Sequence, residues 1–147
     1  FKDNATHFVS WVWGYTVNIV VSSLNSWAEK HGQICSQVFF WMCFFCNNQR
    51  KLLVQKSPED DNLAETFGTR LRKIGCMIII LDNFQAPLYT TRLWCIYELY
   101  EATDKDIPIE VALPAGSQKA LQENLEGGQF AKIADSLANL DCEKAVA

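Results

Sequence analysis

The feature that most constrains this chain is an unbroken apolar run in its middle, Cys76 to Leu81 (CMIIIL). Such a run is too short for a core helix and has no polar alternation, so it reads as a strand covered on both faces. Strands of that kind sit inside parallel sheets. The run stops at Asp82-Asn83-Phe84, a loop containing Pro87 follows, and Thr90 or Thr91 offers a hydroxyl to cap a helix that starts near Arg92. That helix carries Trp94, Cys95, Tyr97 and Glu98. An acidic residue one turn inside a helix that follows a buried strand is a layout by which α/β folds place chemistry at the carboxyl ends of strands.

The rest of the chain repeats the alternation. His7 to Val12 (HFVSWV) is short and rich in strand formers, and it ends at Trp13-Gly14-Tyr15 with Gly14 as the turn. Thr16 caps a helix whose apolar positions Val17, Val20, Val21, Leu24, Trp27 and Ala28 follow helical spacing, and Lys30-His31-Gly32 closes it. Val38 to Cys46 (VFFWMCFFC) is apolar throughout and reads as a second strand buried on both faces. A long polar loop, Asn47 to Asp61, leads to a helix with Leu63, Phe67, Leu71 and Ile74 on one face, ended by Gly75. Beyond the central helix, Asp104-Lys105-Asp106 makes a break, and Ile107 to Leu113 is a fourth strand. A polar helix from Ser117 to Glu126 follows, and a last helix aligns Phe130, Ile133, Ala134, Leu137 and Leu140.

This order argues for an α/β, flavodoxin-like three-layer fold. It has a parallel sheet of four to five strands, order 2-1-3-4-5, with helices on both faces. Strands 1 and 3 then adjoin where the winding reverses, and ligands of such sheets bind there. The loops that meet at that point are Trp11 to Tyr15 and Asp82 to Tyr89.

At 147 residues, 49% of them hydrophobic and 20% charged, the chain suits one domain with an ordinary core. A formal net charge of −4 and a pI near 5.1 argue against a nucleic-acid binder, since phosphate contacts need clustered Lys and Arg. Arg70, Arg72 and Lys73 form the one basic cluster, read as a solvated helix face. The longest apolar run, Val38 to Cys46, falls far short of the roughly 20 residues needed to cross a bilayer, so no membrane partner is expected. Four of the six cysteines lie in apolar runs, which favours a reducing cytoplasm over a disulfide framework. Cys43 and Cys46 make a CxxC, but on a strand that spacing sends the sulfurs to opposite faces, and no metal site is expected. The chain lacks an initial Met and stops within a helical pattern, as a piece of a longer protein would.

Two stretches carry a family resemblance. FVSWVWGY resembles the first strand and turn of a TIR (Toll/interleukin-1 receptor-like) domain, and LYTTRLWCIYELYEA is similar to the Trp-Cys and Glu-Leu box of plant-type TIR domains. The resemblance is strongest to divergent algal and protist TIR-like domains, with an Asn-Gln after strand 2 and a Thr-Arg-x-Trp-Cys box, and it extends over roughly residues 7 to 114. Relatives of this kind often carry His where this chain has Trp11 and Asp where it has Cys43. The usual fifth strand is not apparent.

The resemblance implies a domain that hydrolyses NAD to nicotinamide and ADP-ribose, or a cyclic form, in signalling or defence. Its catalytic glutamate would be Glu98, with NAD as substrate and no further cofactor. Trp11, Trp13, Gly14, Tyr15, Asp82, Arg92 and Trp94 would surround the ligand. Trp13, Tyr15 and Trp94 would stack on flat rings, Gly14 would let backbone approach, and Asp82 and Arg92 would hold ribose or phosphate oxygens. Each has a plainer reading: Glu98 as an exposed helix residue, Trp13 and Trp94 as core, Asp82 and Asn83 as turn chemistry. The alternative function is a non-catalytic TIR-like module acting by homotypic contact. Self-association, or association with other TIR-like domains, is expected in either case. A deoxyribosyltransferase-like nucleoside binder is a more distant third.

Overall fold

The computed structural model describes residues 5–32, 37–46, 63–129, 131 and 145–146. Among these, strand β1 (His7–Ser10) leads to α1 (Val17–Lys30), and β2 (Phe40–Trp41) to a single helical turn, α2 (Cys43–Cys46). Then come α3 (Leu63–Ile74), β3 (Met77–Ile80), a 3-10 turn (Leu88–Thr91), α4 (Leu93–Asp104), β4 (Ile109–Ala112) and α5 (Ala115–Glu126). The strands form one parallel sheet in the order β2-β1-β3-β4. The architecture is α/β, and the strand order agrees with a flavodoxin-like winding. The expected long loop 47–61 and last helix 130–140 lie outside the described residues, apart from Ala131.

The apolar run at 76–81 does what its composition demands. All four residues of β3 are buried, because β3 has a strand on each side and a helical layer on each face. The two layers follow from neighbouring residues of β1, whose side chains point to opposite faces. His7 packs edge-on against Trp27 of α1, with ring centroids 4.8 Å apart, while Phe8 packs against Phe67 of α3 at 4.8 Å. Phe67 in turn meets Trp94 and Tyr97 of α4. One layer therefore holds α1, beside which α5 packs, and the other holds α3 and α4.

α1 begins and ends as its sequence predicts. Thr16 Oγ1 accepts from Ile19 N at its start, and Gly32 stands just past its end at φ 58°. Its stripe is narrower than the spacing suggests, since Val20 and Trp27 are buried whereas Val17 and Val21 are exposed. The buried Trp27 donates its indole N–H to Glu110 of β4.

Two local expectations are corrected. The second strand is not Val38 to Cys46 but only Phe40–Trp41, and the chain turns helical at Cys43. Among the described residues β2 is an edge strand bonded to β1 alone, and Phe45 N and Cys46 N both donate to Met42 O. Phe44 and Phe45 are exposed rather than buried. Second, neither threonine caps α4. Thr90 and Thr91 donate to Pro87 O and Leu88 O inside the 3-10 turn, and Arg92 takes the cap position without a side-chain bond.

Candidate functional site

β1 and β3 adjoin at the centre of the sheet, and the side chain that ends β1 is a hydroxyl. Ser10 is 1% exposed, on the same face as Phe8 and hence toward the α3–α4 layer. Across from it α4 presents Glu98, which is 3% exposed and therefore not the surface helix residue of its plainer reading. Ser10 Oγ hydrogen-bonds Glu98 Oε2. Ser10 Oγ also lies 2.7 Å from the hydroxyl of Tyr89, a buried residue of the 3-10 turn, whose own O–H reaches the Cys95 carbonyl at 3.1 Å. The loop after β3, expected to border the site, thus sends a phenol under the start of α4.

All three contacts of this chain are filled only when Glu98 carries a proton. A carbonyl only accepts, so Tyr89 gives its one proton to Cys95 and has none left for Ser10. Ser10 has one proton for two oxygen neighbours. With Glu98 ionised, one of the three contacts lacks a hydrogen. With Glu98 protonated, Glu98 donates to Ser10, Ser10 to Tyr89 and Tyr89 to Cys95, and every contact is filled. Burial acts in the same direction, pushing the Glu98 carboxyl up to about 8 against the hydrogen bonds that Ser10 and Trp94 give to its ionised form. Burial likewise holds Tyr89 well above the ordinary phenol range and the Cys95 thiol up at about 12. Neither is a nucleophile at neutral pH.

The other expected residues divide between the site's rim and its supports. Trp13 and Trp94 are not core residues: they are 60% and 41% exposed, near the carboxyl ends of β1 and β2 and in the first turn of α4. Trp13 packs against Phe44 with centroids 5.9 Å apart. Trp11 is half-buried, its carbonyl receives the Cys95 thiol at 3.7 Å, and its indole N–H is buried with no hydrogen-bond partner. Gly14 is exposed, and a Cβ there would touch only Val12 at 3.9 Å, so the fold itself does not require glycine. Arg92 is half-buried at the cap of α4.

Tyr15 and Asp82 engage each other. Tyr15 is buried and donates to Asp82 Oδ1 at 3.1 Å, so its ring offers no free stacking face. The same Asp82 oxygen accepts from Leu88 N at 2.9 Å, Oδ2 accepts from Asn83 Nδ2 at 3.0 Å, and the Asp82 carbonyl accepts from Ser117 at 2.8 Å. A carboxylate so engaged ties the loop after β1, the loop after β3 and the start of α5 together. Asn83 makes the turn its type suggests, accepting from Gln85 N and Ala86 N.

No family model, curated protein or solved structure matches this chain. Sequence reasoning singled out Glu98 but not its neighbours Ser10 and Tyr89, the first of which is far from it along the chain. The available signal was Ser10 itself, a polar residue in an otherwise apolar strand. Among the described residues no group of three or more His, Cys, Asp or Glu is placed to hold a metal, and no helix is long and apolar enough to cross a membrane.

Proposed function

We propose that this domain hydrolyses the bond between nicotinamide and ribose in NAD, with Glu98 as the catalytic carboxyl. The observation that carries the reading is the Ser10–Glu98 pair where β1 and β3 adjoin: a buried carboxyl of perturbed acidity at a winding reversal. The resemblance to TIR domains supports the substrate. As the glycosidic bond breaks, its electron pair passes to the ring nitrogen, and the pyridinium becomes neutral nicotinamide. The ribose left behind has oxocarbenium character, which an ionised carboxylate stabilises, and water completes the hydrolysis.

Glu98 rests with its proton, and the substrate brings what removes it. The cationic nicotinamide ring favours the ionised form of a carboxyl beside it, so binding releases the proton that the hydrogen-bond chain otherwise keeps. The exposed rings of Trp13 and Trp94 offer faces for the flat groups of a dinucleotide. Release of nicotinamide from NAD by concentrated protein, beside Glu98→Gln, tests the reading. Turnover in the parent that is lost in the variant is expected; no turnover at any protein concentration overturns it.

A second reading, a non-catalytic module that docks on other copies or similar domains, is favoured by one observation. Trp13, Phe44 and Phe45 form a continuous run of exposed aromatic rings, with Phe44 and Phe45 centroids 5.2 Å apart. If nicotinamide release fails while Phe45→Asp abolishes self-association, this second reading replaces the first.

A further inference from the structure

The CxxC at Cys43 and Cys46 has no role in a strand, and the structure removes that objection. α2 is one helical turn, and residues three apart in a helix share a face. A rise of about 1.5 Å per residue on a cylinder of radius about 2.3 Å puts their Cα atoms roughly 5 Å apart. That lies inside the window of about 4.4–6.8 Å that a disulfide spans. The same spacing on a strand separates the Cα atoms by roughly 10 Å. Cys46 is exposed and Cys43 half-buried.

We propose that Cys43 and Cys46 are a reversible dithiol–disulfide pair, a redox modification site at the carboxyl end of β2 that exchanges with small disulfides of the glutathione class. The exposed thiol reacts first. Cys46, as thiolate, attacks one sulfur of glutathione disulfide, forming a mixed disulfide and releasing one glutathione thiolate. Cys43 then loses its proton to solvent and attacks the Cys46 sulfur, which closes the protein disulfide and releases the second glutathione. Two protein thiols are oxidised and one glutathione disulfide is reduced to two thiols, so the exchange balances.

The consequence reaches the neighbouring ring. Cys43 hydrogen-bonds the Trp13 side chain, and closing the disulfide turns its sulfur toward Cys46 instead. Trp13 keeps its packing on Phe44 of the same turn but loses that sulfur contact. Oxidation thus alters the aromatic rim, and the inference stands whether or not the domain cleaves NAD.

The test is mass spectrometry of the Cys43–Cys46 peptide after equilibration of the whole chain in graded glutathione buffers, folded and in urea. The expected product is a peptide lacking two hydrogens, restored by dithiothreitol. Its oxidised-to-reduced ratio should be about tenfold or more higher in the folded chain, because the helical turn holds the pair at bonding distance. Cys43→Ser should stop at a glutathione adduct on Cys46, and Cys46→Ser should leave Cys43 unmodified on the same timescale. Equal ratios in folded and unfolded chain, a bond from either cysteine to any other, or equally fast modification of Cys43 in Cys46→Ser would each overturn the proposal.

Discussion

At Glu98, a glutamine amide reproduces the donor that the protonated carboxyl supplies: its N–H reaches Ser10, Ser10 keeps donating to Tyr89, and Tyr89 to the Cys95 carbonyl. Glu98→Gln should therefore fold with little loss of stability while abolishing nicotinamide release. Glu98→Ala is a different experiment. It leaves a buried hydroxyl pair without its third member and should cost about 1–3 kcal/mol, read as a lower urea midpoint. The parent's pH dependence has a definite sign. Burial pushes the folded carboxyl up to about 8, whereas the unfolded one keeps the ordinary 4.5, so between them the folded chain holds a proton that the unfolded chain does not. Stability from this group is complete below the lower value and is lost as pH rises through the upper one. Urea midpoints across that window should fall in the parent and stay flatter in Glu98→Gln; parallel slopes would show that Glu98 is ionised at rest. Glu98 was legible from sequence because it sits one turn inside a helix that follows a buried strand. Its partners were not, because a Ser in an apolar strand and a Tyr in a loop take on meaning only when folding joins them across long stretches of chain.

Among the elements, the loops are held by one residue more than by their turn types. Asp82 accepts from Tyr15, Leu88 and Asn83 and, through its carbonyl, from Ser117, so it joins three segments that share no secondary structure. Asp82→Ala should cost about 2–3 kcal/mol, since several hydrogen bonds to a charged group go together. Hydrogen exchange at the Leu88 amide should accelerate while the β3 amides stay protected. Equal acceleration in β3 would mean that Asp82 supports the sheet rather than its loops. The strands were readable where composition and environment agree, as in β3. They were misread at 38–46, where apolar character comes from aromatic side chains on an edge: periodicity reports burial, and an edge strand followed by a turn can be apolar without being extended. The caps show the same limit. Thr16 caps α1 as expected, whereas Thr90 and Thr91 spend their hydroxyls on carbonyls within the 3-10 turn, a local competition that residue type alone does not resolve.

For the molecule as a whole, the sheet divides the core into two layers that meet the site unequally. The strand order was legible because alternating helices and buried strands admit few parallel windings, and the right-handed crossover puts successive helices on set faces. What that order alone does not reveal is which layer holds the carboxyl. Ser10 and Phe8 share a face, so Glu98, Tyr89, Phe67 and Trp94 belong to one layer, and Trp27 with its Glu110 partner belongs to the other. Two substitutions of similar cost separate them. Phe67→Leu trims a ring packed on Phe8, Trp94 and Tyr97 and should cost about 1–3 kcal/mol. Trp27→Phe removes the indole donor to Glu110 and should cost about as much, roughly 1–3 kcal/mol. Only the first should move the Glu98 titration, because it loosens α4 against the sheet and admits water to the carboxyl, which lowers its pKa. The protonated carboxyl band in infrared difference spectra reads that titration directly. If Trp27→Phe shifts the band as far as Phe67→Leu, the carboxyl senses global stability rather than the packing of its own layer, and the two-layer account of the site fails.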